Sequence, residues 1–274
     1  MEYTTEIAIG LKRNPKESLS SALSKLTKPI QFPKKLGHVV VKPSIYDPHL
    51  VGNTNPKVVE AVIHSFKSLG HVYIVESDNP LRMVSSAFSE SGYSELIEDN
   101  VELVNLTNQE TIRIEMPGHY FKEREMPILL QPGCFLINIP TMKLEPTIST
   151  LGAGIKNLFG LIPEVNKQRY HERIDDVLID LLTIFPPNLT VVDLTQIVVG
   201  AREDGITREA NAILVGTDPV AIDSFCTDLM GLDPLDIPYL KSAYELGLGE
   251  ILMDRIRILG TAEQKNKLYQ LCQF

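Results

Sequence analysis

Four lysines and one histidine, Lys42, Lys143, Lys156, Lys167 and His171, are the residues of this sequence best suited to chemistry. All but Lys42 fall in one stretch from Asn138 to His171, NIPTMKLEPTISTLGAGIKNLFGLIPEVNKQRYH. A lysine within the small, apolar run GAGIKNLFG is costly unless its ammonium reaches water or an anion, which singles out Lys156 and, beside it, Asn157. Lys167 and His171 stand four residues apart, the spacing of neighbours on one helix face. Imidazole titrates near neutrality, so His171 among ammonium groups suits proton transfer beside a bound anion; a structural histidine fits the same position.

Carboxylates and amides complete the set. Lys42-Pro43-Ser44 leads into Gly52-Asn53-Thr54-Asn55 at a helix start, where free N–H groups suit a phosphate or carboxylate. Asn53 or Thr54 serves equally well as the helix cap. Glu76-Ser77-Asp78-Asn79 brings two carboxylates toward Lys42, to act as acid or base, to bind a cation or simply to pair with the lysine. Asp193 ends TVVDL and opens a loop containing Arg202, Glu203 and Asp204. Asp218 precedes Pro219 as a cap, and Asp223 lies one turn further along, facing either a crevice or water.

These residues need a scaffold, and the apolar pattern supplies an α/β one. EIAIGL (6–11), HVVVKP (38–43), HVYIVES (71–77), CFLINIP (134–140), TVVDL (190–194), NAILVG (211–216) and RIRILG (255–260) read as strands. A helix over 17–26 makes a first β-α-β unit, and a Pro56-led helix ending at Gly70 makes a second. An apolar face of Ile174, Val177, Leu178, Leu181, Leu182 and Phe185 predicts a helix from about Lys167, stopped by Pro186-Pro187. The expected fold is an open, mostly parallel sheet with helices on both faces and a small irregular β insertion near 101–130. Its ligand crevice lies beyond the carboxyl ends of the strands. Nothing divides the chain, so 1–274 reads as a single α/β domain.

The chain of 274 residues is 43% apolar and 22% charged, as ordinary globular proteins are. Its net charge of −9 opposes nucleic-acid or anionic-membrane partners. No apolar run is long enough to span a membrane and the start MEYTTEIAIG lacks the pattern of a signal peptide, so a cytoplasmic location is expected. Cys134, Cys226 and Cys272 lack the spacing of metal or cluster ligands and read as small buried residues. No metal site and no cofactor motif stands out: the phosphate loop, dinucleotide fingerprint, nucleophile elbow and paired-histidine zinc motif are all missing.

The sequence resembles the family called domain of unknown function 362. The resemblance rests on Asn53-Thr54-Asn55-Pro56, on Asn138-Ile139-Pro140 leading to Lys143, and on Lys156-Asn157-Leu158-Phe159-Gly160 followed by Ile162-Pro163, Lys167 and His171. Val192-Asp193, Thr217 to Asp223 and Gly231-Leu232-Asp233-Pro234 extend it. It differs in having Glu145 where many relatives have a histidine, and in lacking the cysteine clusters of a ferredoxin-like region. The resemblance therefore implies a core module without iron–sulfur clusters of its own, and it carries no assigned activity.

Two functions follow as expectations. In the first, an enzyme holds a small anionic carboxylate or phosphate compound with Lys42, Lys143 and Lys156, aided by Asn53, Thr54, Asn157 and Lys167. His171 transfers a proton while Asp193 or Glu76 orients the site. In the second, a noncatalytic binding or electron-transfer module works with an iron–sulfur partner protein. A homo-oligomer remains open in both.

Overall fold

The computed structural model describes residues 3–145 and 148–273, excluding the Glu145 side chain. Twelve strands run in chain order: β1 (Thr5–Leu11), β2 (His38–Pro43), β3 (Val72–Glu76), β4 (Val101–Asn105), β5 (Thr111–Glu115), β6 (Glu123–Pro127), β7 (Cys134–Ile139), β8 (Lys143–Glu145), β9 (Thr150–Gly152), β10 (Leu189–Val198), β11 (Thr207–Gly216) and β12 (Ile256–Leu259). The helices are α1 (Pro15–Leu23), α2 (Pro56–Phe66), α3 (Val84–Glu90), α4 (Gly154–Asn157), α5 (Ile174–Ile184), α6 (Pro219–Leu229), α7 (Pro238–Glu245) and α8 (Ala262–Cys272).

Eight strands form one sheet in the order β12-β1-β11-β10-β7-β2-β3-β4. β11 runs against both its neighbours, and every other pair in the sheet is parallel. From β2 the chain steps outward through β3 to β4, then returns to the other side of β2 with β7 and moves on to β10. The direction of winding reverses between β2 and β7, where open α/β sheets leave a crevice at the strands' carboxyl ends.

Alternation along the strands builds a core on each face. Val39 and Val41 pack with Ile74, Phe135 and Ile137 against Val58, Val59, Val62 and Phe66 of α2. Val40, Val75 and Leu136 face the other way, toward Val177, Leu178 and Leu181 of α5 and Tyr239 of α7. A third cluster joins β1, β10 and β11 to α6 and α8.

The expected mostly parallel α/β sheet is present, with four local differences. β1 and β2 are not neighbours: β11, β10 and β7 lie between them, so the first β-α-β stretch spans the sheet while α1 packs on β1 and β11. β4 belongs to the main sheet, and only β5 and β6 form a separate hairpin in the 101–130 region. The helix expected from Lys167 starts at Ile174, because Arg173 (φ −131°, ψ 44°) breaks it from a 3-10 stretch over Gln168–Arg173. α2 is capped by Asn55, whose Oδ1 accepts from Lys57 N at 3.0 Å, because Asn53 and Thr54 spend their side chains elsewhere.

Candidate functional site

Lys42 is the last residue but one of β2, at the reversal point, paired in register with Asn138 of β7. Its ammonium is buried and donates to Glu76 Oε2 at 2.7 Å, to the Pro43 carbonyl at 2.6 Å and to Asn157 Oδ1 at 3.4 Å. All three of its donors are thereby used. Burial pushes its pKa down and the Glu76 charge pulls it back up. Glu76 Oε1 also accepts from Ser77 N at 2.9 Å.

A belt of amides ties the next segment over this pair. Asn157 Nδ2 donates to the Lys42 carbonyl at 3.1 Å and to Asn138 Oδ1 at 2.8 Å, while Asn138 Nδ2 reaches the Gly154 carbonyl at 2.7 Å. GAGIKNLFG is helical only over α4 and continues as a 3-10 turn, Leu158–Leu161. Gly160 sits so close that a Cβ there would lie 2.7 Å from Lys42 Nζ and 2.8 Å from Glu76 Oε1.

Lys167 joins the same neighbourhood from the other side. It is 8% exposed, and its ammonium donates to Ser77 Oγ at 3.0 Å, to the Asp78 carbonyl at 3.1 Å and to the Glu164 carbonyl. Desolvation lowers its pKa to about 8; Glu76 opposes this, while Lys42 and Arg82 add to it. Ser77 Oγ in turn holds the Gly160 carbonyl at 2.9 Å. Sequence reasoning missed Arg82, which donates to the Ser77, Ile45 and Tyr46 carbonyls and so shapes the loops after β2 and β3. Nothing in its local pattern marks it.

Asn53, Thr54 and Asp193 face the protein's own backbone. Asn53 Nδ2 donates to the Asp47 and Leu50 carbonyls, and its Oδ1 accepts from Tyr46 N. Thr54 Oγ1 donates to the Ile139 carbonyl at 2.7 Å and accepts from Ser44 N at 2.8 Å. Asp193 accepts from Asn55 N at 2.7 Å and from both N and Oγ1 of Thr195, tying the start of α2 to β10. Burial raises its pKa and those hydrogen bonds restrain the rise. Lys143, buried on the β8–β9 hairpin, donates to Thr141 Oγ1 at 3.0 Å, and Thr141 holds the Gly52 carbonyl.

Lys156 and His171 meet on a shared ring. The Lys156 ammonium lies 4.4 Å from the Phe159 centroid, and the His171 ring lies 5.5 Å from it at 37°. Phe159 precedes Gly160, so this pair stands one residue from the Lys42–Glu76 contact.

A cleft of about 550 Å³ opens beyond β3, lined by Asp47, His49, Asp78, Asn79, Arg82 and Val165 among others. Lys167 stands behind its wall, bonded to Asp78. The cleft's carboxylates are engaged: Asp78 accepts from Val84 N and Asn105 Nδ2, Glu90 pairs with His49 at 3.2 Å, and Asp47 accepts from His49 N. No group of three or more His, Cys, Asp or Glu side chains is placed to hold a metal among the described residues. Cys226 and Cys272 are buried and Cys134 half-buried; burial pushes the Cys134 and Cys272 thiols up to about 12. Among the described residues, no helix is long and apolar enough to cross a membrane.

Comparison with known proteins places this arrangement. The chain is 24% identical over 247 residues to the "Thylakoid-associated protein sll1697" of Synechocystis, covering 84% of this chain and 76% of that protein. No solved structure matches significantly. The family model described as "Domain of unknown function (DUF362)" matches residues 39–228, a span that holds Lys42, Glu76, Lys143, Lys156, Lys167, His171 and Asp193. With the family model covering most of the chain, this protein belongs to the DUF362 family.

Proposed function

We propose that the chain binds a small anionic molecule, a carboxylate or phosphate compound, at the carboxyl edge of the sheet and acts on it by proton transfer. The supporting observation is Lys167. A buried ammonium is normally answered by a carboxylate. Lys42 has Glu76, whereas Lys167 and its neighbour Arg82 donate only to neutral oxygens. Among the described residues, neither forms an ion pair within 4.0 Å. Arg82 lines the adjoining cleft and Lys167 stands behind its wall, so an anion entering there meets the Arg82 guanidinium with the Lys167 charge close behind it. Lys143 and Lys156 add charge along the same edge, and His171, held beside Phe159, is the proton-transfer group.

The test is thermal stabilisation by inorganic phosphate and by small mono- and dicarboxylates, against chloride at equal ionic strength. One class should stabilise the wild type. Lys167→Met removes a buried charge beside the cleft and should weaken that binding about tenfold, about 1.4 kcal/mol. No stabilisation beyond chloride, or an unchanged response in the variant, overturns the reading. His171→Gln should retain the binding, and once a turnover assay exists it should lose turnover; full activity would leave a binding module without catalysis.

A further inference from the structure

Leu81 and Met83 are the two most exposed large apolar side chains among the described residues, each 64% open to water, and both line the cleft beyond β3. Val165, 43% exposed, lines the same cleft from the stretch that follows the 3-10 turn over Leu158–Leu161. Single exposed apolar residues are ordinary on a protein surface, but three gathered in one concavity point to an apolar ligand.

Both walls are pinned. Asn79 Oδ1 accepts from Leu81 N at 2.9 Å and from Arg82 N at 3.1 Å, and Asn79 Nδ2 donates to the Tyr46 carbonyl at 3.0 Å. The Arg82 guanidinium bonds the Tyr46, Ser77 and Ile45 carbonyls from Nε, Nη1 and Nη2 in turn. Three of its five N–H groups are thereby used, and one remains on each terminal nitrogen. Lys167 ties the opposite wall, bonding the carbonyl of Glu164, beside Val165, and that of Asp78. Leu81 and Met83 are thus held on either side of Arg82 by a fixed turn, which leaves little to be ordered when a ligand binds.

We infer, building on the anion-binding reading above, that the ligand of this cleft is an amphipathic acid. One carboxylate or phosphate group meets the Arg82 guanidinium, and an apolar body of several carbons lies against Leu81, Met83 and Val165. Size agrees with this: the cleft of about 550 Å³ falls within the roughly 300–1,000 Å³ of sites that enclose organic ligands, and bare phosphate or acetate would leave most of it to water. Charge agrees as well. Asp47, Asp78 and Glu90 also line the cleft and repel a second acid group, so the far end of the ligand is uncharged.

NMR titration of the amides between Asn79 and Ser86 tests this, with acetate, butyrate, hexanoate and octanoate, and with methyl and hexyl phosphate, at one ionic strength. Affinity should rise about fourfold for each methylene the cleft buries, so hexanoate should bind at least about tenfold more tightly than acetate, or hexyl phosphate than methyl phosphate. Adipate, the dicarboxylate of the same length as hexanoate, should bind more weakly than hexanoate. Leu81→Gln and Met83→Gln together, at exposed positions where a polar residue leaves the fold intact, should flatten the chain-length series and keep the wild-type affinity for acetate and methyl phosphate. A flat wild-type series in which acetate or methyl phosphate binds overturns the amphipathic ligand and leaves the anion site standing. Absence of binding by every acid overturns both. A slope that survives in the double variant, or hexan-1-ol binding as tightly as hexanoate, overturns the assignment of the apolar body or of the acid group.

Discussion

Lys42 and Glu76 meet at 2.7 Å across adjacent parallel strands, with side chains only 1% and 6% exposed. Breaking a buried pair from one side leaves an uncompensated charge, whereas an apolar replacement of both is far better tolerated. Lys42→Met should therefore cost about 3–5 kcal/mol of unfolding free energy. The double variant Lys42→Met, Glu76→Leu should recover most of it. Urea unfolding of the three proteins measures both, and additive losses would mean that the pair is not coupled.

Gly160 should be required for its size alone. A Cβ there would stand 2.7 Å from both Cε and Nζ of Lys42, atoms fixed by Glu76 and Asn157. Overpacking of this kind costs roughly 1–3 kcal/mol. Gly160→Ala should lower the urea midpoint accordingly, while Gly37→Ala, whose Cβ would meet nothing nearer than 3.8 Å, should change it little. Equal effects at the two positions would show that the packing over Lys42 is loose.

Lys167 should reveal itself through alkaline stability. Its pKa is depressed from 10.5 to about 8, so between those values the unfolded chain binds the proton more tightly than the folded one. Stability carried by this group therefore rises as pH increases from about 8 to about 10.5. At 1.36 kcal/mol per unit the full increment is on the order of 3 kcal/mol. The wild type should gain on Lys167→Met when both are unfolded in urea at pH 8 and again at pH 10. A constant difference would place the ammonium in water.

The sheet was legible because its strands are short apolar runs bounded by turn residues, and Lys42 and Glu76 could be placed on one edge because a single β-α-β crossover joins them. Their pairing follows from that register. What escaped the sequence is what depends on distant partners. Asn55 rather than Asn53 caps α2 because the Asn53 side chain is drawn to Asp47 and Leu50. The place of β1, beyond β11 and β10, is set by pairing across some two hundred residues, which no local periodicity records. Arg82 and Gly160 act through backbone carbonyls and through the absence of a side chain, neither of which marks a sequence.

Asp180 is the clearest residue of that hidden kind, and it yields a prediction for the insertion. It lies wholly buried on the apolar face of α5, where a carboxylate has no reason to be unless donors meet it. Three do: His119 N at 3.1 Å, Tyr120 N at 2.9 Å and Phe121 N at 2.7 Å, successive amides of the turn joining β5 to β6. One side chain thereby docks the hairpin on the core, beside the aromatic contacts of Tyr120 and Phe121 with Tyr170. In Asp180→Asn the amide NH₂ confronts backbone N–H groups, and at least one buried donor loses its acceptor at a cost of about 1–3 kcal/mol. Because the loss falls on the hairpin, the effect should be local. Limited proteolysis should cut within residues 111–127 faster in the variant, while amides of β2 and β7 keep their protection from exchange. Cleavage at the wild-type rate would show that the aromatic packing holds the hairpin without Asp180, and loss of protection across the sheet would show that the turn is part of the global folding unit.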